Sequence, residues 1–215
     1  MLSGITKSEV ESIIKLHPAM FFEIFHRRSV NNIYFDSHGL NNYFDNINGD
    51  LHRRKTRIRW YGELFSEIVE PVLELKIKNG LLGKKLHYPL PPFKLDNHFN
   101  MRDIFYIVQK AKIPELIKTE IKLSQPVLLN RYSRKYFQSA DKRYRITIDT
   151  DQIFYRISAQ NNFFLNNQKD VESVILELKY DVDADNDASY ITEHFPFRLT
   201  KSSKYISDLE KIYVK

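Results

Sequence analysis

The chain contains no cysteine. Disulfides, thiolate metal sites and cysteine nucleophiles are therefore excluded, although this absence names no compartment. Long hydrophobic runs are missing too. No uninterrupted apolar stretch is long enough to cross a bilayer, and Met1-Leu2-Ser3-Gly4 does not open a secretory signal. On these grounds the chain is expected to be soluble and cytoplasmic. It has no internal repeats, low-complexity tails or interdomain linker, so a single domain over residues 1–215 is expected. The seven histidines show no metal-ligand spacing. Positive charge is what the chain has in excess. Its net charge of +6 and pI near 9.3 favour an anionic partner. Nucleic acid, polyphosphate, nucleotides and a membrane surface all qualify.

The charge is patterned. In Lys55-Thr56-Arg57-Ile58-Arg59-Trp60-Tyr61, cations alternate with apolar or neutral residues, and Glu74-Leu75-Lys76-Ile77-Lys78 repeats the alternation. Strand side chains point to opposite faces with a period of two. Lys55, Arg57 and Arg59 therefore share one face, as do Glu74, Lys76 and Lys78. Arg143-Tyr144-Arg145-Ile146-Thr147-Ile148-Asp149 and Ile175-Leu176-Glu177-Leu178-Lys179-Tyr180 follow the same rule.

In chain order, Thr6-Lys7-Ser8-Glu9 has capping-box spacing and opens a helix closed by Pro18. A strand is predicted over 29–36 and a short helix over 37–48, ending at Gly49. Strands at 55–60, 74–78 and 83–88 follow, the last two joined by the turn signal Asn79-Gly80. Helices are predicted over 100–112 and 115–123, broken by Pro114, then strands over 126–137 and 143–149. The Asn- and Gln-rich stretch 157–171 reads as a loop. A strand at 174–180, an acidic loop with Asp181, Asp183, Asp185 and Asp187, and a helix over 205–214 complete the pattern. The count is seven strands.

One account of these faces is an open antiparallel sheet with its charged side in water. Four strands carrying Lys or Arg at nearly every such position argue instead for a barrel with a polar interior and helices at 6–16, 100–123 and 205–214 outside. Buried cations demand a counter-charge, because an uncompensated buried ion costs several kcal/mol by order of magnitude. A multiply charged anion would supply it. Glu74, Asp149 and Glu177 on those faces would suit a hard divalent cation. Phosphate-binding cations with metal-binding carboxylates make up the equipment of phosphoryl chemistry. Trp60 is expected in the core. The aromatics near the motifs are expected to alternate away from the basic face, which argues against reading RNA by stacking.

The chain resembles the polyphosphate polymerase (VTC) domain of the vacuolar transporter chaperone complex, within the triphosphate tunnel metalloenzyme (CYTH-like) superfamily. The stretches that carry the resemblance are 29–36, 53–62, 74–78, 131–137, 145–149, 177–180 and 203–205, in the family's order over nearly the whole chain. The resemblance implies an α+β, mainly antiparallel fold: an eight-stranded triphosphate tunnel with flanking helices. The family's opening strand is expected to be missing, since the chain reaches its first helix by Thr6. That departure matches the count of seven.

By the same resemblance, Arg57, Arg59, Lys76, Arg134, Arg145 and Lys204 would be catalytic cations on phosphate oxygens. Lys55, Lys78, Lys84, Arg143 and Lys179 would be substrate-binding wall residues. Glu177, and more weakly Glu74, would hold Mn2+ or Mg2+. Tyr34 and Asp36 match the family's strand motif, where a structural role weighs at least equally. The implied function is a metal-dependent phosphotransferase that moves the terminal phosphoryl group of ATP onto inorganic polyphosphate. A triphosphatase, or a non-catalytic polyphosphate-binding module, remains the alternative. Partners would be ATP and polyphosphate, with no sequence-specific nucleic acid, no transmembrane segment, and membrane association only through another protein.

Overall fold

Alternating sequence becomes antiparallel ladder. The computed structural model describes the chain except residues 1, 3, 81, 161, 163, 165, 166, 199, 201, 202, 214 and 215. The order is α1 (Lys7–Lys15), β1 (Phe22–Asp36), α2 (Asn41–Asn48), β2 (His52–Tyr61), β3 (Glu67–Ile68), β4 (Val72–Asn79), β5 (Leu82–Pro89) and β6 (Phe93–Lys94). Then come α3 (Met101–Lys110), α4 (Glu115–Lys122), β7 (Gln125–Gln138), β8 (Tyr144–Tyr155), β9 (Asn167–Asp170), β10 (Ile175–Tyr180), a 3-10 turn (Val182–Asp187), α5 (Ala188–Glu193) and α6 (Lys204–Tyr213). The fold is α+β and mainly antiparallel, with six helices among the described residues. Val214, the expected end of the last helix, lies outside the described residues. No helix among them is long and apolar enough to cross a membrane.

The chain gathers into two compact units. The first comprises Met1–Ser29, Tyr132–Gln152 and Lys169–Ser202; the second comprises Val30–Arg131, Ile153–Gln168 and Ser203–Lys215. Strands β1, β7, β8 and β9 contribute residues to both. In the first unit the strand order is β10-β8-β7-β1, with β9 on β8. Its core is Val10 and Ile14 of α1, Phe137, Tyr144, Ile146, Ile148, Val174, and Ala184, Ala188 and Ile191 of the acidic segment. The α1 capping box is formed, with Thr6 N–H donating to Glu9 Oε2 (2.7 Å) and Glu9 N–H to Thr6 Oγ1 (3.3 Å).

In the second unit the order is β7-β1-β2-β4-β5, with β3 and β6 paired separately. One side of β1, β2 and β4 presents Ile33, Phe35, Ile58, Trp60, Leu73 and Leu75 to Ile104, Ile107 and Val108 of α3 and to Ile117 and Ile121 of α4. Trp60 is buried, as expected, and donates its indole N–H to the Glu63 carbonyl (3.1 Å). The cations are thereby committed to the opposite side.

Ten strands replace the expected seven among the described residues. Strand β1 begins at Phe22 rather than at 29, because Glu23 and His26-Arg27-Arg28 conceal the alternation. Strand β8 continues past Asp149 to Tyr155 through a left-handed residue, Asp151 (φ 53°), whose carboxylate pairs with Lys7 and Arg27. The expected loop 157–171 contains β9. The acidic segment is a 3-10 turn followed by a helix, held by burial of small apolar residues that its aspartates mask.

Candidate functional site

In the second unit, ladder register decides which side chains meet. Arg57 pairs across β2–β4 with Glu74, Lys55 with Lys76, and Arg53 with Lys78; across β4–β5, Lys76 pairs with Lys85 and Glu74 with His87. Glu74 is buried at the centre. Arg57 Nε donates to its Oε2 (2.7 Å) and Lys85 Nζ to its Oε1 (2.8 Å), while Arg59 Nη1 lies 3.6 Å away. Burial alone would raise the Glu74 pKa. Arg57, Arg59 and Lys85 prevail and hold it down to about 2. Glu74, expected as a possible metal ligand, thus serves as the counter-charge of three cations. Lys84 is not brought to this cluster: it pairs with Ile77, on the apolar side. Lys85 takes the place expected for it, because the turn after Asn79 sets that register.

The cations exceed what Glu74 neutralises. Lys55 donates to Ser203 Oγ (2.6 Å), and its pKa is lowered to about 8, first by burial and then by Lys76, Arg53 and Arg57. An anion seated there would raise that pKa again by offsetting the neighbouring cations, so binding takes up a proton above about pH 8. Tripolyphosphate affinity is expected to fall as pH rises through about 8, and Lys55→Met to flatten that decline; titration calorimetry in buffers of different ionisation enthalpy reads both.

Arg59 is aimed by a buried chain of amides. Its Nε donates to Asn32 Oδ1 (3.0 Å), Asn32 Nδ2 to Asn130 Oδ1 (2.8 Å), and Asn130 Nδ2 to Asp208 Oδ2 of α6 (2.6 Å). Burial raises the Asp208 carboxyl to about 7, against Asn130, Lys204 and Lys211. Asp36 is also buried. It accepts the Asn42 and Tyr43 N–H groups (2.9 and 3.0 Å) and the Tyr205 hydroxyl, fastening α2 and α6. Lys204 lies at the start of α6, and Tyr34 accepts from Arg57 Nη1 (3.1 Å). Asn32, Asn130, Asp208 and Lys85 were not among the residues the sequence singled out.

The first unit carries its own cluster. Arg134 makes a buried fork with Asp149 (Nε to Oδ1 2.5 Å, Nη2 to Oδ2 2.7 Å). Burial would lower the guanidinium pKa, but Asp149 holds it above its ordinary value. In the β8–β10 ladder Thr147 faces Glu177 and Arg145 faces Lys179. Glu177 approaches Lys179 (3.4 Å), and the buried Thr147 hydroxyl has no hydrogen-bond partner among the described residues. Burial lowers the Lys179 pKa, with Glu177 opposing and Arg134 adding to the shift. Arg143 is drawn elsewhere, onto Asp187 (2.8 Å).

Aromatic rings do not avoid the cations. Arg57 lies 5.7 Å from the Tyr34 ring centre, and Arg134 lies 5.2 and 5.8 Å from those of Tyr132 and Tyr136. The expected alternation of aromatics away from the basic face is corrected here: these tyrosines stand at even positions beside the arginines.

Among the described residues no three His, Cys, Asp or Glu side chains gather to hold a metal. Glu74 and Asp149 are committed to buried cations, whereas Glu177, 3.4 Å from Lys179, is the more accessible carboxylate. That donor set does not fit an all-protein cage. It fits a hard divalent ion arriving with phosphate oxygens and water as its remaining ligands.

Sheet faces on which cations outnumber carboxylates thus characterise this α+β protein. A model of the VTC domain family matches residues 8–213, and the chain belongs to that family. Among solved structures the chain is similar to HpAC1 from Hippeastrum, studied as an adenylyl cyclase and found to have a dominant triphosphatase activity. The identity is 13%, with 86% of this chain and 82% of that one covered and a TM-score of 0.47. No curated protein sequence matches.

Proposed function

We propose that residues 1–215 act as one domain that transfers the terminal phosphoryl group of ATP to a growing polyphosphate chain. The observation that carries this reading is Lys55, crowded by Lys76, Arg53 and Arg57 and short of negative charge. A polyanion is what completes such a face. Membership of the VTC domain family supports phosphate as its chemistry.

An oxygen of the terminal polyphosphate unit attacks the γ-phosphorus; a new P–O–P bond forms, the bond to the bridging oxygen of the β-phosphate breaks, and ADP leaves. Arg57, Arg59, Lys55, Lys76, Lys78, Lys85 and Lys204 hold phosphate oxygens in the second unit, and Arg134, Arg145 and Lys179 do so in the first. Arginine supplies planar forks and lysine compact charges, fixed before the reaction so that the developing charge needs little reorganisation. Glu177 would hold Mn2+ or Mg2+, which would supply charge neutralisation to the phosphate oxygens. Lys84 and Arg143 carry no role, given their positions. The domain works in the cytoplasm, reaching membranes through a partner.

The exposure of Glu177, whose side chain is 44% accessible, favours a second reading in which water replaces polyphosphate as nucleophile. Purified protein with ATP and Mn2+ separates the two when polyphosphate and free phosphate are followed together. Polymer accumulation is expected, lost in Glu177→Gln while tripolyphosphate still binds. Free phosphate without polymer assigns a triphosphatase, and neither product sinks both readings.

A further inference from the structure

Phe25 of β1 leaves 46% of its surface exposed, although it belongs to a strand whose apolar residues have a core to enter. Its surroundings are unusual for a solvated ring. Tyr136 of β7 meets it edge-on, with centroids 5.6 Å apart and planes at 85°. The Arg28 guanidinium carbon stands 4.4 Å from the Phe25 centroid and 5.9 Å from that of Tyr136. Tyr136 is also the ring beside Arg134, at 5.8 Å. A partly exposed aromatic pair with a flat cation thus adjoins the phosphate-type cations of the same unit.

We propose that Phe25, Tyr136 and Arg28 form a stacking platform for the nucleobase of the nucleoside triphosphate. This deepens the proposed function and rests on it. Aromatic faces and guanidinium planes take bases by stacking, without choosing among them by hydrogen bonds. Two short steps, Phe25 to Tyr136 and Tyr136 to Arg134, separate the platform from the buried Arg134–Asp149 fork. A nucleoside triphosphate has that layout: an apolar base at one end and a polyanionic tail at the other. Inorganic polyphosphate has only the tail. The platform therefore distinguishes the phosphoryl donor from the polymer, a distinction that cations alone do not make. Recognition is by the base's π face, so other purine nucleotides are accepted.

Calorimetric affinities for ATP and for inorganic tripolyphosphate, each with Mg2+, test this. Phe25→Leu and Tyr136→Leu are expected to weaken ATP about fivefold or more, from the stacking contribution of one base. Tripolyphosphate affinity should hold within twofold. Phe25→Trp keeps a stacking ring, is expected to retain ATP affinity, and its fluorescence should be quenched by ATP but not by tripolyphosphate. Equal losses for both ligands would show a merely structural pair and overturn the platform. So would unchanged ATP affinity in the leucine variants, or an unquenched tryptophan. Failure of the unmodified protein to bind tripolyphosphate would instead remove the phosphate-site reading beneath it.

Discussion

Replacing Arg134 with leucine is expected to cost about 3–5 kcal/mol of folding stability, measured by urea unfolding, because Asp149 is left charged and buried without its partner. Both members of the fork are almost wholly inaccessible, at 7% and 1% of side-chain surface. Replacing both with well-packed apolar residues should recover most of that loss, since the pair's desolvation cost disappears with it. This outcome bears on how activity data are read. An inactive Arg134→Leu protein says little about phosphate contacts if it is also unfolding. Arg134→Lys keeps the charge but breaks the fork, so it separates the two roles. Reduced turnover with stability retained would assign Arg134 to substrate, and parallel losses would assign it to the fold.

Glu74→Gln is expected to destabilise the protein by about 3 kcal/mol at neutral pH, whether or not Mn2+ is present. The size follows from the carboxyl pKa, held down to about 2 from an ordinary 4.5. The sign follows as well. A depressed carboxylate contributes fully above its unfolded pKa, so the wild-type advantage should persist above about pH 4.5 and vanish as pH falls towards 2. Unfolding curves of both proteins across that range check it. A metal ligand would behave differently: the wild type would gain stability on adding Mn2+, and the variant would not. Metal-dependent stabilisation lost in Glu74→Gln would overturn the counter-charge role.

Much of the second unit's cationic face was legible because β2 and β4 alternate without interruption. Each strand, read alone, already separated Lys55, Arg57 and Arg59 from Thr56, Ile58 and Trp60. Register was not legible. Whether Lys84 or Lys85 joins Glu74 depends on the turn after Asn79, and a one-residue slip exchanges the faces. Family resemblance located Arg134, but its partner Asp149 read as a possible metal ligand, since alternation fixes sidedness without fixing neighbours. The buried amides were invisible for another reason. Asn32 and Asn130 are neutral polar residues in strands, and only their burial reveals them. Asp208 did leave a trace: it falls between Tyr205 and Leu209 on the apolar stripe of α6, where a solvated aspartate would not be placed. The tyrosines beside the cations were misjudged because Trp60 and Ile58, which do face away, suggested a rule that Tyr34, Tyr132 and Tyr136 break.

The chain from Asp208 through Asn130 and Asn32 to Arg59 has a direction. A guanidinium can only donate, so Asn32 must turn its oxygen to Arg59 and its NH2 to Asn130, and Asn130 its NH2 to Asp208; both amides satisfy their neighbours in one orientation alone. Neither amide can turn without the other, and Arg59 cannot be re-aimed while α6 keeps its place. Local opening of the C-terminal helix and release of the arginine are therefore one cooperative event rather than two. An anion that immobilised Arg59 would lower the frequency of that opening, and residues 205–213 would be ordered by a ligand they need not touch.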